Sequence, residues 1–216
     1  NPQDIPILEN PNEFTLDASY SLKLSEYFAL AVTGRFLMSD VKLQSVDSDS
    51  DSASSFAVDI SGFFQSDEKA YGNFNGIWRA GFNISNIGPR MKYEELGKKN
   101  FIPTNLKLGT AFDFIFDSSN KVSLNLELNK LLVPSPSIPI YNSNNQIIGY
   151  NQADVNFLSG IFKSFGDAPD GFSEELNEFT LAMGIEYLYN DSFAIRAGYF
   201  NENENKGARK YITFGT

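Results

Sequence analysis

The sequence contains no cysteine and no histidine. Without cysteine there is no disulfide framework and no thiol chemistry. Without histidine, Ser-His and Cys-His nucleophilic sites and histidine-bearing zinc sites are excluded. No Gly-x-Ser-x-Gly elbow and no phosphate-binding loop occurs. Long apolar runs are missing as well, and nothing approaches the roughly 18 residues that mark a spanning helix. Positive charge is scarce: 17 Lys and Arg stand against 27 Asp and Glu, for a net charge of −10. That balance argues against nucleic acid as a partner. The paired carboxylates Glu94-Glu95 and Glu174-Glu175 fall in loops and read as solvated surface, not as glycosidase chemistry. The chain reads as no enzyme, with no cofactor.

What the chain does have is aromatic load and alternation. It carries 20 Phe and 10 Tyr, which suits strands and membrane-interface girdles. Nine stretches alternate apolar and polar residues. The first sets Phe14, Leu16, Ala18, Tyr20, Leu22 and Leu24 against Thr15, Asp17, Ser19, Ser21 and Lys23. A period of two sends successive side chains to opposite faces of a strand. The gaps between stretches alternate too. Those at Ser25–Glu26, Ser66–Tyr71, Asp117–Lys121 and Asn190–Ser192 are short; those at Ser39–Ser55, Ser85–Pro103, Val133–Ser173 and Asn201–Ala208 are longer. Tight turns at one end of a sheet and long loops at the other are the build of an outer-membrane β-barrel.

Strand length favours the same conclusion over a secreted β-sandwich, whose strands also alternate. About eleven residues at roughly 3.3 Å each, tilted by about 40°, project to roughly 28 Å, close to the apolar band of a bilayer. Sandwich strands are shorter, about 5–6 residues. All nine prolines fall outside the proposed strands, as the missing N–H demands. A mean hydropathy of −0.26 does not conflict, because lumen-facing polar residues dilute the lipid-facing ones. The expected fold is an all-β antiparallel transmembrane barrel forming a single domain over residues 1–216, with one short helical segment in a long loop.

Two loops stand out. Asp47-Ser48-Asp49-Ser50-Asp51 has calcium-loop spacing, but Ser52 and Val58 stand where Gly and the bidentate Glu belong, so it reads as a flexible acidic loop. The gap Val133–Ser173 opens on Pro134-Ser135-Pro136-Ser137-Ile138-Pro139, a stiff extended stretch. Within Asp154–Phe165, Val155, Leu158, Ile161, Phe162 and Phe165 recur at helical spacing, with Phe157 beside them. Two readings stay open for this stripe: packing on the barrel mouth or lumen, or an apolar docking surface for a partner.

Four blocks of sequence carry a resemblance to a known family. Asn83-Ile84-Ser85-Asn86-Ile87-Gly88-Pro89-Arg90-Met91 is the first, and Phe101-Ile102-Pro103-Thr104-Asn105-Leu106-Lys107-Leu108-Gly109 the second. The third spans Ser159 to Phe172 and continues to Glu174-Glu175-Leu176. The fourth is Arg196-Ala197-Gly198-Tyr199-Phe200 with Glu202-Asn203, Lys206-Gly207 and Lys210-Tyr211. In this order they resemble PorV-type proteins, also called LptO, of the Bacteroidetes type IX secretion system. The resemblance implies a barrel like that of the long-chain fatty-acid transporters (FadL-like), with fourteen strands in the whole protein and about nine here. It implies residence in the outer membrane, with long loops outside and short turns periplasmic. It also implies partners: the large type IX translocon barrel, secreted cargo C-terminal domains, the surface attachment complex, and outer-membrane lipid and lipopolysaccharide. The alternative that shares the fold is a transporter of hydrophobic small molecules.

The segment Asn1-Pro2-Gln3-Asp4 has neither the basic start nor the apolar core of a secretory signal. The chain stops at Phe214-Gly215-Thr216, in what reads as the opening of a ninth strand. Because bacterial single-chain barrels have even strand numbers, the count predicts further strands beyond both ends.

Overall fold

The computed structural model describes residues 11–40, 44–45, 48–49, 52–92, 99–134, 139–143, 147–150, 155–168 and 171–216. Nine long strands form one antiparallel sheet: β1 (Asn12–Lys23), β2 (Phe28–Asp40), β3 (Ala53–Gln65), β4 (Asn75–Ile87), β5 (Asn105–Ile115), β6 (Asn120–Leu131), β7 (Phe179–Tyr189), β8 (Phe193–Asn201) and β9 (Lys210–Gly215). Each pairs with its neighbour in sequence, so the sheet is a meander in the order β1 to β9. A two-residue strand, Lys69–Ala70, adds to the edge of β4. The fold is all-β and barrel-like. No helix among the described residues is long and apolar enough to cross a membrane, which says nothing about crossing by strands.

Register places side chains where alternation puts them. Asp17 faces Arg35, Tyr20 faces Val32, and Leu108 lies between Phe82 and Leu128. Burial is inverted relative to a water-soluble sheet. On β3, Phe56 is 69% exposed while its neighbour Ala57 is 2% exposed and Asp59 is buried. Asp113 is buried, whereas Trp78, Leu124, Leu126, Ile185 and Ile195 are exposed. Exposed apolar and buried polar side chains are the informative departure from the usual rule. They fit a wall whose outer side meets hydrocarbon and whose inner side encloses polar groups.

Cross-strand ion pairs lace the polar face. Arg35 grips Asp17 at 2.8 Å and Asp59 at 3.2 Å, Lys107 approaches Glu127 at 3.6 Å, and Arg79 pairs with Asp113, which also accepts from Ser123 Oγ at 2.8 Å. Arg196 pairs with Glu186. Each joins strand neighbours whose side chains share one face.

The turns are as tight as the spacing predicts. Asn190 and Asp191 both take positive φ (49° and 52°), the mirror-image turn whose twist suits a hairpin. Asp117 Oδ1 accepts from the Ser119 and Asn120 amides at 2.7 and 2.8 Å. Aromatic side chains gather at this end, with Tyr71, Phe74, Phe112, Phe114, Phe116 and Trp78 in ring contact.

Three local expectations need correction. β4 runs on to Ile87, three residues into the expected loop. Pairing shifts so that Ile60 faces Ile84 but Val58 faces Ile87, and Asn86 with φ 59° takes up the shift. Asn tolerates this left-handed geometry better than most residues, and such a bulge lets a strand continue while bending. Pro139 opens a short strand, Pro139–Tyr141, paired with Ile147–Tyr150; the first position is one a proline can occupy, since its missing N–H is not needed there. Finally, the long connection holds two helices rather than one: α1 (Phe157–Lys163) and α2 (Phe172–Asn177). Within the acidic loop, Asp47, Ser50 and Asp51 lie outside the described residues, as do Glu94 and Glu95.

Candidate functional site

All four sequence blocks meet at the long-loop end of the sheet. The first two form a strap, residues 88–92 and 99–104, closed by reciprocal Met91–Asn100 backbone hydrogen bonds of 2.8 and 2.7 Å. Met91 and Ile102 of the strap bury with Ala53 and Ala57 of β3, and Leu37 of β2 packs against them. The strap therefore lies on the polar, inner side of the wall, since Ala53, Ala57 and Leu37 point there. Gly88 makes the approach feasible. A Cβ at that position would lie 2.3 Å from the Phe56 carbonyl oxygen and 2.9 Å from Ile102 Cδ1.

Asn86 is the hub that fixes the strap. Its amide donates to Asp59 Oδ1 at 2.7 Å and its Nδ2 to the Pro103 carbonyl at 3.0 Å. Its Oδ1 accepts from Arg35, and its carbonyl accepts from Thr104 Oγ1 at 2.7 Å. Arg35 is also held by Asp17, so one network runs from β1 through β2 and β3 to both ends of the strap. Satisfied networks of this kind specify one arrangement, because any break leaves a buried polar group without a partner.

The other two blocks meet around Lys130. This residue sits opposite Leu106 and Phe179 on the apolar face of β6, yet it is 0% exposed. Its Nζ lies 2.7 Å from Glu175 Oε1 and 2.6 Å from Glu178 Oε2. The rings of Phe165 and Phe179 stand 5.9 and 5.4 Å from the same nitrogen. Glu175 makes no directed side-chain hydrogen bond, so charge alone holds it. Lys206, from the turn after β8, reaches Glu174 and Glu178 at 3.0 Å each, and Asn203 donates to Asn177 at 2.9 Å. Glu174-Glu175 is thus no solvated pair, contrary to the sequence reading. The two carboxylates anchor α2 to the rim.

Burial works to raise the Glu178 pKa, but hydrogen bonds from Lys130 and Lys206 and their charges outweigh it and hold the carboxyl below its ordinary value. Burial likewise opposes the Lys206 charge, and Glu178 and Glu174 overcome it, raising that pKa. A depressed carboxylate stabilises docking above its unfolded pKa and loses that contribution as pH falls through the folded value. A raised lysine stabilises below its unfolded pKa and loses the contribution as pH rises through the folded value. The helix α2 should therefore seat most firmly between the ordinary glutamate and lysine ranges. Hydrogen exchange at the Glu175 and Glu178 amides, corrected for intrinsic rates, should accelerate relative to β7 as pH drops below the glutamate range. Unchanged protection there would refute the linkage.

The predicted apolar stripe falls on and around α1. Asn156 caps the helix, its Oδ1 accepting from the Ser159 amide at 2.8 Å. Gly160 is buried, and a Cβ there would lie 2.7 Å from the Phe101 ring and 3.2 Å from Pro134 Cγ. Phe101 belongs to the strap and carries Arg90 over its ring at 5.0 Å. Val155, Phe157 and Ile161 are half-buried, while Leu158, Phe165 and, at 76%, Phe162 are exposed. Phe172 and Leu176 of α2 are exposed as well. The stripe thus splits, part of it in the seat and part facing out. Sequence reasoning missed Lys130, Glu175, Glu178, Asn86 and Arg35 as site residues. The available signal was Lys130 itself, a charge on the apolar side of Leu124, Leu126 and Leu128.

No curated protein matches the chain. A family model described as PorV, type IX secretion system protein, matches residues 1–138. The match takes in the strap and both of its blocks, the Asn86 network and Lys130, and ends before α1. On that match, more than half of its length, the chain belongs to the PorV family of type IX secretion system proteins.

Proposed function

We propose that this protein is an outer-membrane component of the type IX system that binds cargo C-terminal secretion domains and the large translocon barrel, then shuttles cargo to the cell-surface attachment complex. Family membership supports the role in secretion. The observation that carries the docking reading is the apolar face at the long-loop end, where Leu158 and Phe162 of α1, Phe165 just beyond it, and Phe172 and Leu176 of α2 are exposed. A buried ionic anchor fixes α2 to the rim. Val155, Phe157 and Ile161 complete the docking element from below. In the membrane, lipid and lipopolysaccharide would contact the exposed apolar wall, and the long loops would face outward. The ion pairs across the inner face disfavour an apolar tunnel of the fatty-acid-transporter kind.

The test is a Leu158→Ala, Ile161→Ala, Phe162→Ala triple variant. Truncated anchors at an interface centre cost about 1 kcal/mol or more each, so pull-downs should lose translocon or cargo and cargo should accumulate in the periplasm. The variant should still reach the membrane and shift on gels when boiled, as a closed barrel does. Full binding and secretion would reduce the stripe to packing on the barrel mouth. Failure to assemble would make it core.

A further inference from the structure

We propose that α2 is a lipid-side collar: it lies on the outer face of the wall at the long-loop end and rests Phe172 and Leu176 in the membrane, at the boundary between headgroups and acyl chains. This rests on the outer-membrane placement proposed above and divides the apolar face described there, leaving Leu158 and Phe162 of α1 to the protein partner. Register fixes the side of the wall. Lys130 shares its face of β6 with Leu124, Leu126 and Leu128 and stands opposite Leu106 and Phe179. That face carries the exposed apolar side chains. Glu175 and Glu178 reach Lys130 at 2.7 and 2.6 Å, so α2 is held against the outer face. The contact of α1 at Gly160 is instead with Phe101 of the strap, which lies on the inner side.

The helix is inside out for a surface that meets water. Its charged side chains all turn toward the protein: Glu174 to Lys206 at 3.0 Å, Glu175 to Lys130, and Glu178 at the C-cap to both lysines. Asn177 accepts from Asn203 at 2.9 Å. Phe172 and Leu176, one turn apart, are left pointing away, 77% and 53% exposed. A helix bordering water sends its charges outward and its apolar stripe inward. The reversal matches that of the wall below, where Leu124 and Leu126 are exposed and Asp113 is buried. The apolar surface of the outer wall therefore continues over α2, past the end of β6. Interfacial helices bury such a face at the headgroup–acyl boundary, a level that favours aromatic rings. Lys130, one residue from the end of β6, shows why a collar is needed there. Uncovered, its charge would stand on the face that meets hydrocarbon; α2 supplies its counter-charges and closes over it.

The chain has no cysteine, so single introduced cysteines carrying an environment-sensitive fluorophore can report on each position. The experiment uses the full-length protein folded into phosphatidylcholine vesicles in which part of the lipid is brominated near the headgroup end of its acyl chains. Phe172→Cys is the main probe, Leu176→Cys a second on the same face, and Leu124→Cys marks the wall. All three replace exposed side chains. At Phe172 and Leu176 the emission should be shifted to the blue, quenched by the brominated lipid and little affected by aqueous iodide. Water-like emission with iodide quenching at both, while the Leu124 probe is quenched from the lipid, overturns the collar and returns α2 to the protein-docking face. Failure of the placement beneath it is separately visible: the Leu124 probe would then escape the brominated lipid as well, and collar and membrane wall would fall together.

Discussion

Replacing Lys130 with methionine should destabilise the seat of α2 by about 3–5 kcal/mol, the usual cost of removing one partner from a buried ion pair. Lys130 is fully enclosed, and its loss strands Glu175, which has no directed hydrogen bond of its own. Glu178 keeps Lys206 and suffers less. The loss comes from the uncompensated carboxylate, not from the lysine's own worth. A Lys130→Met, Glu175→Leu double variant should therefore recover most of the stability, because an apolar replacement of a buried pair is often neutral or better. Protease cutting between α1 and α2 in detergent-solubilised protein, followed against denaturant, reads both. If the single variant stays within about 0.5 kcal/mol of the parent, within the scatter of ordinary surface substitutions, the ionic anchor contributes nothing.

The second large effect separates the two faces of β5. Leu108 is exposed on the apolar wall between Phe82 and Leu128, and Leu108→Arg should cost about 2–4 kcal/mol if the residue lies near the bilayer midplane. Lys107 sits one position away on the opposite face in a half-exposed pair with Glu127. Lys107→Gln should cost only about 0–1 kcal/mol, as exposed ion pairs do. Refolding titrations into lipid vesicles compare the two directly. Equal losses would mean that the outer wall does not meet hydrocarbon.

Period-two alternation was enough to place all nine strands and to assign their faces. That signal is local, and each strand needs only its own residues to show it. What escaped the sequence depends on contacts distant along the chain. Asn86 looks like any loop asparagine until Asp59, Arg35, Pro103 and Thr104 surround it. Glu174 and Glu175 look solvated until Lys206 and Lys130 meet them. The helix α2 is six residues long, too short for a periodic pattern to emerge. The stripe over Asp154–Phe165 was legible as helical, though the helix itself is shorter, Phe157–Lys163. Its division between seat and surface was not legible, because Gly160 reveals its role only against Phe101.

The neighbour-to-neighbour order of the sheet has a kinetic meaning. Contacts between adjacent strands close small loops, so hairpins such as β7–β8 can form early, on the order of 1–10 μs for an isolated hairpin. The longest closure is the joining of β6 to β7 across the helical connection. Entropy charges that step more than any other, though the charge grows only with the logarithm of loop length. Assembly of the described strands therefore divides at this seam, with β1 to β6 on one side and β7 to β9 on the other. Lys130 ends one side of the seam, and Glu178 begins the other. Their ion pair is the clasp that forms when the strands on either side zip together, so the same contact that seats α2 also marks closure of the seam.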